Sequence, residues 1–472
     1  MPKIKINERE FEVEAGKTVL QVALENGIYI PHYCYHPHLP IAGNCRMCLV
    51  DIRPGPPKLS IACNTVVADK MEVFTENEKV AAARQGVMEF LLKNHPVDCP
   101  ICDQAGECML QEYYMNYDLK PSRLLGPQEK VKKRKALRVG KTLMLDTERC
   151  ILCGRCVRFM RNVQGDDCLV IVNRRDKAEI TLFPGRELTN PYSLCLTDIC
   201  PVGAWTSADF RFKQRVWFLE STPSICPECS RGCNIWIDHR QGEAYRIRPR
   251  VNEQVNKSWA CDEGRLAYHA INDRRLTSAR LTTDRGPAKI GMNEAIKQAA
   301  ELIKEAGSNL SVIVSASLSV EEGRKALALF RDKLNAKLYL HTGGPGWSDA
   351  ILRCADQNAN AKGLEGLGLT ERNLAGIAEN AVVVALETLC PRPLPAGVPA
   401  PAIVITPQLS PAAEKARLAI PATSYAESAG TVVNEQGIEQ KYEAALPPKG
   451  EALPYGEILS RLATALGLKL AA

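Results

Sequence analysis

Nineteen cysteines stand among the 472 residues, and 17 of them fall within the first 261. Their spacing sorts them into sets of four donors. Cys34, Cys45, Cys48 and Cys63 follow C-x10-C-x2-C-x14-C, and His95, Cys99, Cys102 and Cys108 follow H-x3-C-x2-C-x5-C. Cys150, Cys153 and Cys156 form C-x2-C-x2-C with Cys200-Pro201 a distant fourth, and Cys226, Cys229, Cys233 and Cys261 form C-x2-C-x3-C-x27-C. Thiolates in fours suit zinc or an iron-sulfur cluster, both soft-ligand sites of roughly tetrahedral geometry. Zinc is the plainer structural reading, yet a chain merely stapled by zinc has little need for four unlike spacings in series. Disulfides fit poorly, because dense CxxC spacing without a secretory leader points to metal or redox chemistry.

Each set leaves a question open. In the first, the loop from Cys34 to Cys45 carries Gly43 and Asn44, as if backbone amides must approach a cluster's sulfides. Cys34-Tyr35-His36 offers half of a Rieske pattern, but Cys45 to Cys48 lacks the second histidine, so His32, His36 and His38 read as loop residues. In the second, three cysteines are one ligand short; His95 either completes the set or caps a helix. In the third, the fourth ligand is Cys200, which precedes a proline as in ferredoxin-type runs, or Cys195 five residues earlier. Cys168 and Cys195 otherwise read as small buried hydrophobes. Arg46 beside the first set, and Arg155 and Arg158 within the third, either offset cluster charge or are solvated.

Local patterns indicate what must position these donors. Residues 3–6 and 11–13 alternate apolar and polar and read as a hairpin around residues 7–10. Thr18 and Gln21 make a capping box, and Asn26-Gly27 suits the helix end. A strand is expected at 71–74, and a helix over 77–94 with Val80, Val87, Met88 and Leu91 on one face, ending before Pro96. Strand-like stretches at 168–172 and 178–183 read as an insertion between Cys156 and Cys200. The cysteine-poor remainder reads as α/β: helices over 292–306 and 320–334, strands at 310–315, 337–341 and 381–386. Six prolines between Pro391 and Pro407 suggest a linker or surface arm. Gly343, Gly344 and Gly346 lack the endings of phosphate-binding loops and read as a turn.

Composition excludes other classes. A hydrophobic fraction of 45% and 24% charged residues are ordinary globular values. The start has no apolar signal-peptide core, and no run of about 18 apolar residues suggests a membrane helix. The basic run Lys130–Lys141 lacks interleaved aromatics, so it reads as a solvated or partner-facing linker rather than a nucleic-acid stripe. No paired carboxylates, nucleophile with base, or nucleotide loop is evident.

The segments IPHYCYHP, GNCRMCLV, NHPVDCPICDQAGEC, CILCGRCVRF, DICPVGA and CDEGRLAYHAINDRRLT resemble one family, the large iron-sulfur (G-type, 75 kDa type) subunits of bacterial respiratory NADH-quinone oxidoreductase, complex I. The resemblance covers residues 1 to about 280. It implies a 2Fe-2S cluster on Cys34, Cys45, Cys48 and Cys63, and 4Fe-4S clusters on His95, Cys99, Cys102 and Cys108 and on Cys150, Cys153, Cys156 and Cys200. A third 4Fe-4S cluster, which only some bacterial members possess, is implied on Cys226, Cys229, Cys233 and Cys261. The implied fold is α+β multidomain. It begins with a β-grasp 2Fe-2S ferredoxin-like domain (1–76), a 4Fe-4S segment with one histidine and three cysteines (77–120) and a 4Fe-4S ferredoxin-like domain (140–218). A molybdopterin-oxidoreductase-type 4Fe-4S head (219–275) and a shortened α/β remnant (276–472) follow. The implied task is relaying electrons from a flavin-bearing NADH-oxidising subunit towards quinone. No self-contained active site is expected on the chain, and no molybdopterin. Its implied place is peripheral, on the cytoplasmic side of the inner membrane, among other peripheral-arm subunits.

Three rivals share parts of this pattern. A complete formate dehydrogenase-like molybdopterin enzyme often has a lysine two residues after the fourth cysteine, where this chain has Glu263, and needs a longer body. An iron-only hydrogenase needs more cysteines than Cys354 and Cys390 supply. An electron-transfer subunit of a soluble NAD-linked hydrogenase or formate dehydrogenase complex is disfavoured only by the extension after Cys261.

Overall fold

In the computed structural model, which describes residues 1–121, 123 and 129–470, the chain divides into two units, Met1–Phe218 and Leu219–Ala472. The first begins with the expected hairpin, Lys3–Ile6 against Arg9–Glu12. Its turn is shorter than the pattern suggested. Asn7 takes a φ of 53°, a left-handed conformation that asparagine tolerates better than most side chains, so the second strand starts at Arg9. Five strands pair in the order Arg9–Glu12, Lys3–Ile6, Glu72–Phe74, Leu49–Arg53, Ser60–Ile61. Only the contact of Lys3–Ile6 with Glu72–Phe74 is parallel. Helix Val19–Glu25 has the capping box at Thr18 and Gln21, and its Val19, Leu20, Val22 and Ala23 share one core with Ile4, Ile6, Val50 and Val73. Cys48 and Cys63 belong to that core too.

Helix Glu78–Asn94 starts on the Asn77 side chain, which accepts from Val80 N, and buries Val80, Arg84 and Met88. Val87 and Leu91 are only half-buried, because Arg84 occupies the centre of the face, its guanidinium 5.4 Å from the Tyr117 ring. The insertion between Cys156 and Cys200 is a hairpin, Leu169–Val172 with Glu179–Leu182. A three-stranded sheet, Trp205–Ser207, Leu143–Leu145, Leu137–Val139, lies to either side of it in sequence.

The basic run, read as a solvated or partner-facing linker, is exposed at Lys132, Arg134, Lys135, Arg138 and Lys141 but is also tied to its own unit. Lys130 Nζ donates to the His95 carbonyl at 2.5 Å and Lys133 Nζ to Ala178 O at 2.5 Å. Lys135 pairs with Asp98 and Glu148 at 3.0 Å each, and Leu137–Val139 is strand. Basic side chains along the run meet carbonyls and carboxylates within their own unit.

The second unit has a three-stranded antiparallel head, Glu220–Ile225, Asn234–Arg240 and Glu243–Pro249. Its body is a seven-stranded sheet in the order Gly286–Ile290, Ala279–Thr283, Leu418–Pro421, Ile403–Thr406, Val382–Leu386, Leu310–Ser315, Lys337–His341. The last five run parallel. Alternate residues face opposite sides: Val312, Val314, Val384 and Ile405 join the core under helices Met292–Ala306 and Tyr455–Ala465. Ile313, Val383, Ala385 and Val404 join the core on the other face. A parallel sheet covered on both faces explains the near-continuous apolar strands. It also corrects the end of the stretch 391–407 read as a linker or arm: 391–402 have no helix or strand, but Ile403–Thr406 is a fully buried interior strand, and its IVIT run carries that signal despite the proline density around it.

Candidate metal centres

In the first set Cys34, Cys48 and Cys63 are buried and Cys45 is partly so. The four sulfurs lie within hydrogen-bonding reach of one another, Cys34 with Cys45 and Cys63, and Cys63 also with Cys48. They contest the same protons. Hydrogen bonds from Cys45 and Cys63 hold the Cys34 thiol far below its ordinary value, and the neighbouring Cys34 and Cys48 push Cys63 far above it. Cationic iron would remove that conflict, since the thiolate is the ligating form. The amides of Cys45 and Asn44 point at the Cys34 sulfur, as the glycine-bearing loop implied, and Gly43 sits at φ 63°. The loop histidines bond backbone: His32 Nδ1 lies 2.8 Å from Ile30 O, and His36 Nδ1 accepts from His38 N at 3.2 Å. Arg46 is exposed.

His95 caps its helix, one of the two roles its position allowed, and stands beside two cysteines of its set. It is the C-cap of helix Glu78–Asn94, and its ring lines a cavity of about 500 Å³ together with Cys99 and Cys108. Its Nδ1 accepts from Val97 N at 3.0 Å. Burial pushes its pKa down to about 4, which keeps the imidazole neutral, the form that binds metal. Burial also raises Cys102, and Cys108 to about 11.

In the third set Cys156 lies in the field of Cys153, Cys150 and Cys200. Cys200 thus lies close enough to the run to act on Cys156. Cys195 opens the short helix Cys195–Ile199, of which Cys200 is the C-cap. The amides of Trp205, Val202 and Ala204 converge on the Cys200 sulfur, and Leu152 N donates to Cys150 Sγ at 3.4 Å. Cys168 is fully buried at the foot of the inserted hairpin.

Within Met1–Phe218 the sets are stitched together. Arg155 donates to Ile199 O and Tyr35 O, Arg158 to Pro40 O and Cys34 O, and Asn44 Nδ2 to Leu152 O at 3.4 Å. The first and third sets therefore share backbone. Arg149, beside Cys150, grips Asp98, beside Cys99, at 2.9 and 2.7 Å. Met109 N donates to Pro201 O at 3.0 Å. A Cβ on Gly203 would stand 2.4 Å from Cys102 Sγ, so the turn after Cys200 is glycine where it meets the second set.

In the second unit Cys226, Cys229, Cys233 and Cys261 are buried, with Cys226 N donating to Cys233 O at 2.9 Å. Gly264 N donates to Cys261 Sγ at 3.4 Å, and a Cβ on Gly264 would lie 2.8 Å from Cys226 Sγ. Two further residues stand here without any local sequence signal, from a loop well downstream. Arg353 Nη1 is 4.0 Å from Cys261 Sγ, and Cys354 is within hydrogen-bonding reach of Cys229.

The donor sets fit iron-sulfur clusters: sulfur-rich, largely buried, supplied with amides, and backed by glycines where a Cβ would crowd a ligand. Among the described residues no three or more His, Cys, Asp or Glu are placed to hold a single metal ion.

Comparison with known proteins gives family matches along the same segments. Residues 2–78 match a 2Fe-2S iron-sulfur cluster binding domain, and 84–123 the NADH-ubiquinone oxidoreductase-G iron-sulfur binding region. Residues 140–206 match the ferredoxin-like domain of NADH-quinone oxidoreductase subunit 3, 219–269 the NDSU1/NuoG-like 4Fe-4S domain, and 398–465 molybdopterin oxidoreductase. The G subunit of NADH-quinone oxidoreductase from Rickettsia conorii is 38% identical over 339 residues, 72% of this chain and 50% of the relative. The chain is a homologue of the NADH-quinone oxidoreductase G subunit. The NADH-ubiquinone oxidoreductase 75 kDa subunit of Reclinomonas americana is 38% identical over 350 residues, 73% of this chain and 50% of that one. This G-subunit homologue thus spans about half the length of the curated relatives it matches. A crystal structure of an NAD+-reducing [NiFe]-hydrogenase in the H2-reduced state is 28% identical, covering 46% of this chain and 91% of the other at a TM-score of 0.40. No helix among the described residues of the homologue is long and apolar enough to cross a membrane.

Proposed function

We propose that the chain is an iron-sulfur electron-transfer subunit of an NADH-quinone oxidoreductase, carrying electrons from a flavin-bearing NADH-oxidising subunit towards quinone. Its place in the assembly would be the peripheral arm, on the cytoplasmic face of the inner membrane, with proton translocation a property of the whole complex. It would have no bond-making active site of its own. The carrying observation is the lacing of three donor sets within one unit, combined with the homology to the G subunit. Cys34, Cys45, Cys48 and Cys63 would hold a 2Fe-2S cluster. His95, Cys99, Cys102 and Cys108, then Cys150, Cys153, Cys156 and Cys200, then Cys226, Cys229, Cys233 and Cys261, would each hold a 4Fe-4S cluster. Such clusters take up and release single electrons.

What the chain's own residues do is hold, insulate and bias. Because the third set is bonded to the first through Arg155, Arg158 and Asn44, and to the second through Arg149 and the backbone bond from Met109 to Pro201, it would lie between them as the intermediate station. Amides at Cys34 and Cys200 would stabilise negative charge on those ligand sulfurs. His95, neutral, would make its centre less negative than a four-thiolate one.

The test is the complex purified anaerobically. Iron and acid-labile sulfide should reach about 14 atoms of iron per chain, and NADH should reduce the cluster signals through the flavin subunit. Zinc without sulfide would sink the cluster reading. Clusters that co-purify with a hydrogenase large subunit, and not with quinone-reducing partners, would move the chain to the soluble-complex alternative.

A further inference from the structure

The loop 349–357 approaches the fourth set from outside it. Asp349 Oδ1 accepts from the amides of Ile351, Leu352 and Arg353 at 2.8, 2.9 and 3.1 Å, which curls the loop and sends the Arg353 side chain inward. That side chain has no solvent exposure. Its Nη1 stands 4.0 Å from Cys261 Sγ, and its Nη2 donates to Gln357 Oε1 at 2.5 Å and pairs with Glu263 Oε2 at 3.0 Å. The Trp347 ring lies 5.4 Å from the guanidinium and its indole NH donates to the same Glu263 oxygen at 3.1 Å. The guanidinium is therefore fixed on several sides.

A buried guanidinium needs matching negative charge, because desolvating an ion is costly. The Glu263 carboxylate is only a partial match, since its side chain is 46% exposed and its charge is correspondingly screened by water. Cys229, Cys261 and Cys226, three of the four donors, also place their charge on Arg353. We propose that Arg353 is the charge partner of the fourth centre and raises its reduction potential, with Glu263 opposing it from the solvent side. The inference rests on the reading that this set holds a 4Fe-4S cluster. Taking up one electron makes such a centre one charge more negative, and a cation held beside a ligand sulfur favours that state over the oxidised one. Arg353 would thereby do at this site what ligand exchange does at the second set, without changing a ligand. The position of Glu263 gives the pair opposite signs.

Redox titration of the whole complex, followed by electron paramagnetic resonance, provides the readout. Replacing Arg353→Gln should shift the fourth centre's reduction equilibrium towards the oxidised form about tenfold, about 59 mV for one electron. The other three centres should not move. Arg353→Lys should recover most of the shift, and Glu263→Gln should move the same centre the opposite way. An unchanged potential in Arg353→Gln at full iron content overturns the proposal, as does a Glu263→Gln shift in the same direction as that of Arg353→Gln, which would mark a general disturbance of the loop. If Arg353→Gln fails to assemble, the lysine and Glu263 variants still decide it. Iron content short by about 4 atoms in the unaltered complex would instead remove the cluster reading beneath the proposal.

Discussion

In Met1–Phe218 the donors of one set repeatedly meet residues of another, whereas in Leu219–Ala472 a single set sits in a head attached to a body with two apolar cores of its own. The first unit carries its donors on loops and helix ends between strands of only two to five residues. The second commits its four-cysteine set to a head and its hydrophobic packing to a seven-stranded sheet. Metal binding that gathers loops is folding free energy; metal binding on a frame that packs without it is an addition.

The strongest test of that contrast is removal of iron by a chelator under reducing conditions. Hydrogen exchange should rise across 30–63, 95–109 and 149–204 while strands Leu310–Ser315 and Val382–Leu386 stay protected. Equal loss in both units would erase the distinction. Next in size, Gly203→Ala and Gly264→Ala should each eliminate one cluster's signal, the second set's and the fourth's respectively, because the added Cβ would meet Cys102 Sγ at 2.4 Å or Cys226 Sγ at 2.8 Å. Metal analysis should then find about 4 irons fewer per chain, the content of one 4Fe-4S cluster.

A third variant separates stability from metal. Arg275 and Glu427 form an ion pair at 2.5 Å whose side chains are 2% and 0% exposed. Glu427→Gln should destabilise the second unit by about 3–5 kcal/mol in denaturant titration, with the cluster signals of folded protein unaltered. Replacing His95→Cys should lower one 4Fe-4S potential and leave the other centres in place, since a thiolate adds charge that a neutral imidazole lacks; unchanged spectra would remove His95 from the ligands. The smallest effect is expected at Arg46→Gln. An exposed cation is screened by water and salt, so the first centre's potential should stay put, and a clear shift would mean that Arg46 is held closer to it than its exposure implies.

Much of this is legible from residue order. The donor sets are local spacings, the capping box at Thr18 and Gln21 is a short local pattern, and strands such as Leu310–Ser315 are short apolar runs. Other features have no local signature. Arg353 and Cys354 reach the fourth set only because the loop 349–357 folds back. Arg155 and Arg158 read as charges near their own set, whereas their bonds also run to carbonyls of residues 34–40. The basic run reads as solvated because composition cannot show that Lys130, Lys133 and Lys135 each have an acceptor waiting. The strand Ile403–Thr406 is readable in principle from its apolar run, and the prolines spread over 391–407 mask it.

Arg158 places one planar guanidinium on the carbonyl oxygens of Cys34 and Cys153, at 2.5 and 3.5 Å. Those two residues belong to different sets, so one planar guanidinium, stiffer than a loop, bridges the gap between them. Electron tunnelling falls off steeply with distance, and thermal breathing of that gap would spread the transfer rate widely. With clusters bound as proposed above, Arg158, bonded to the backbone of one donor on each side, would narrow that spread and act as a spacer of fixed gauge.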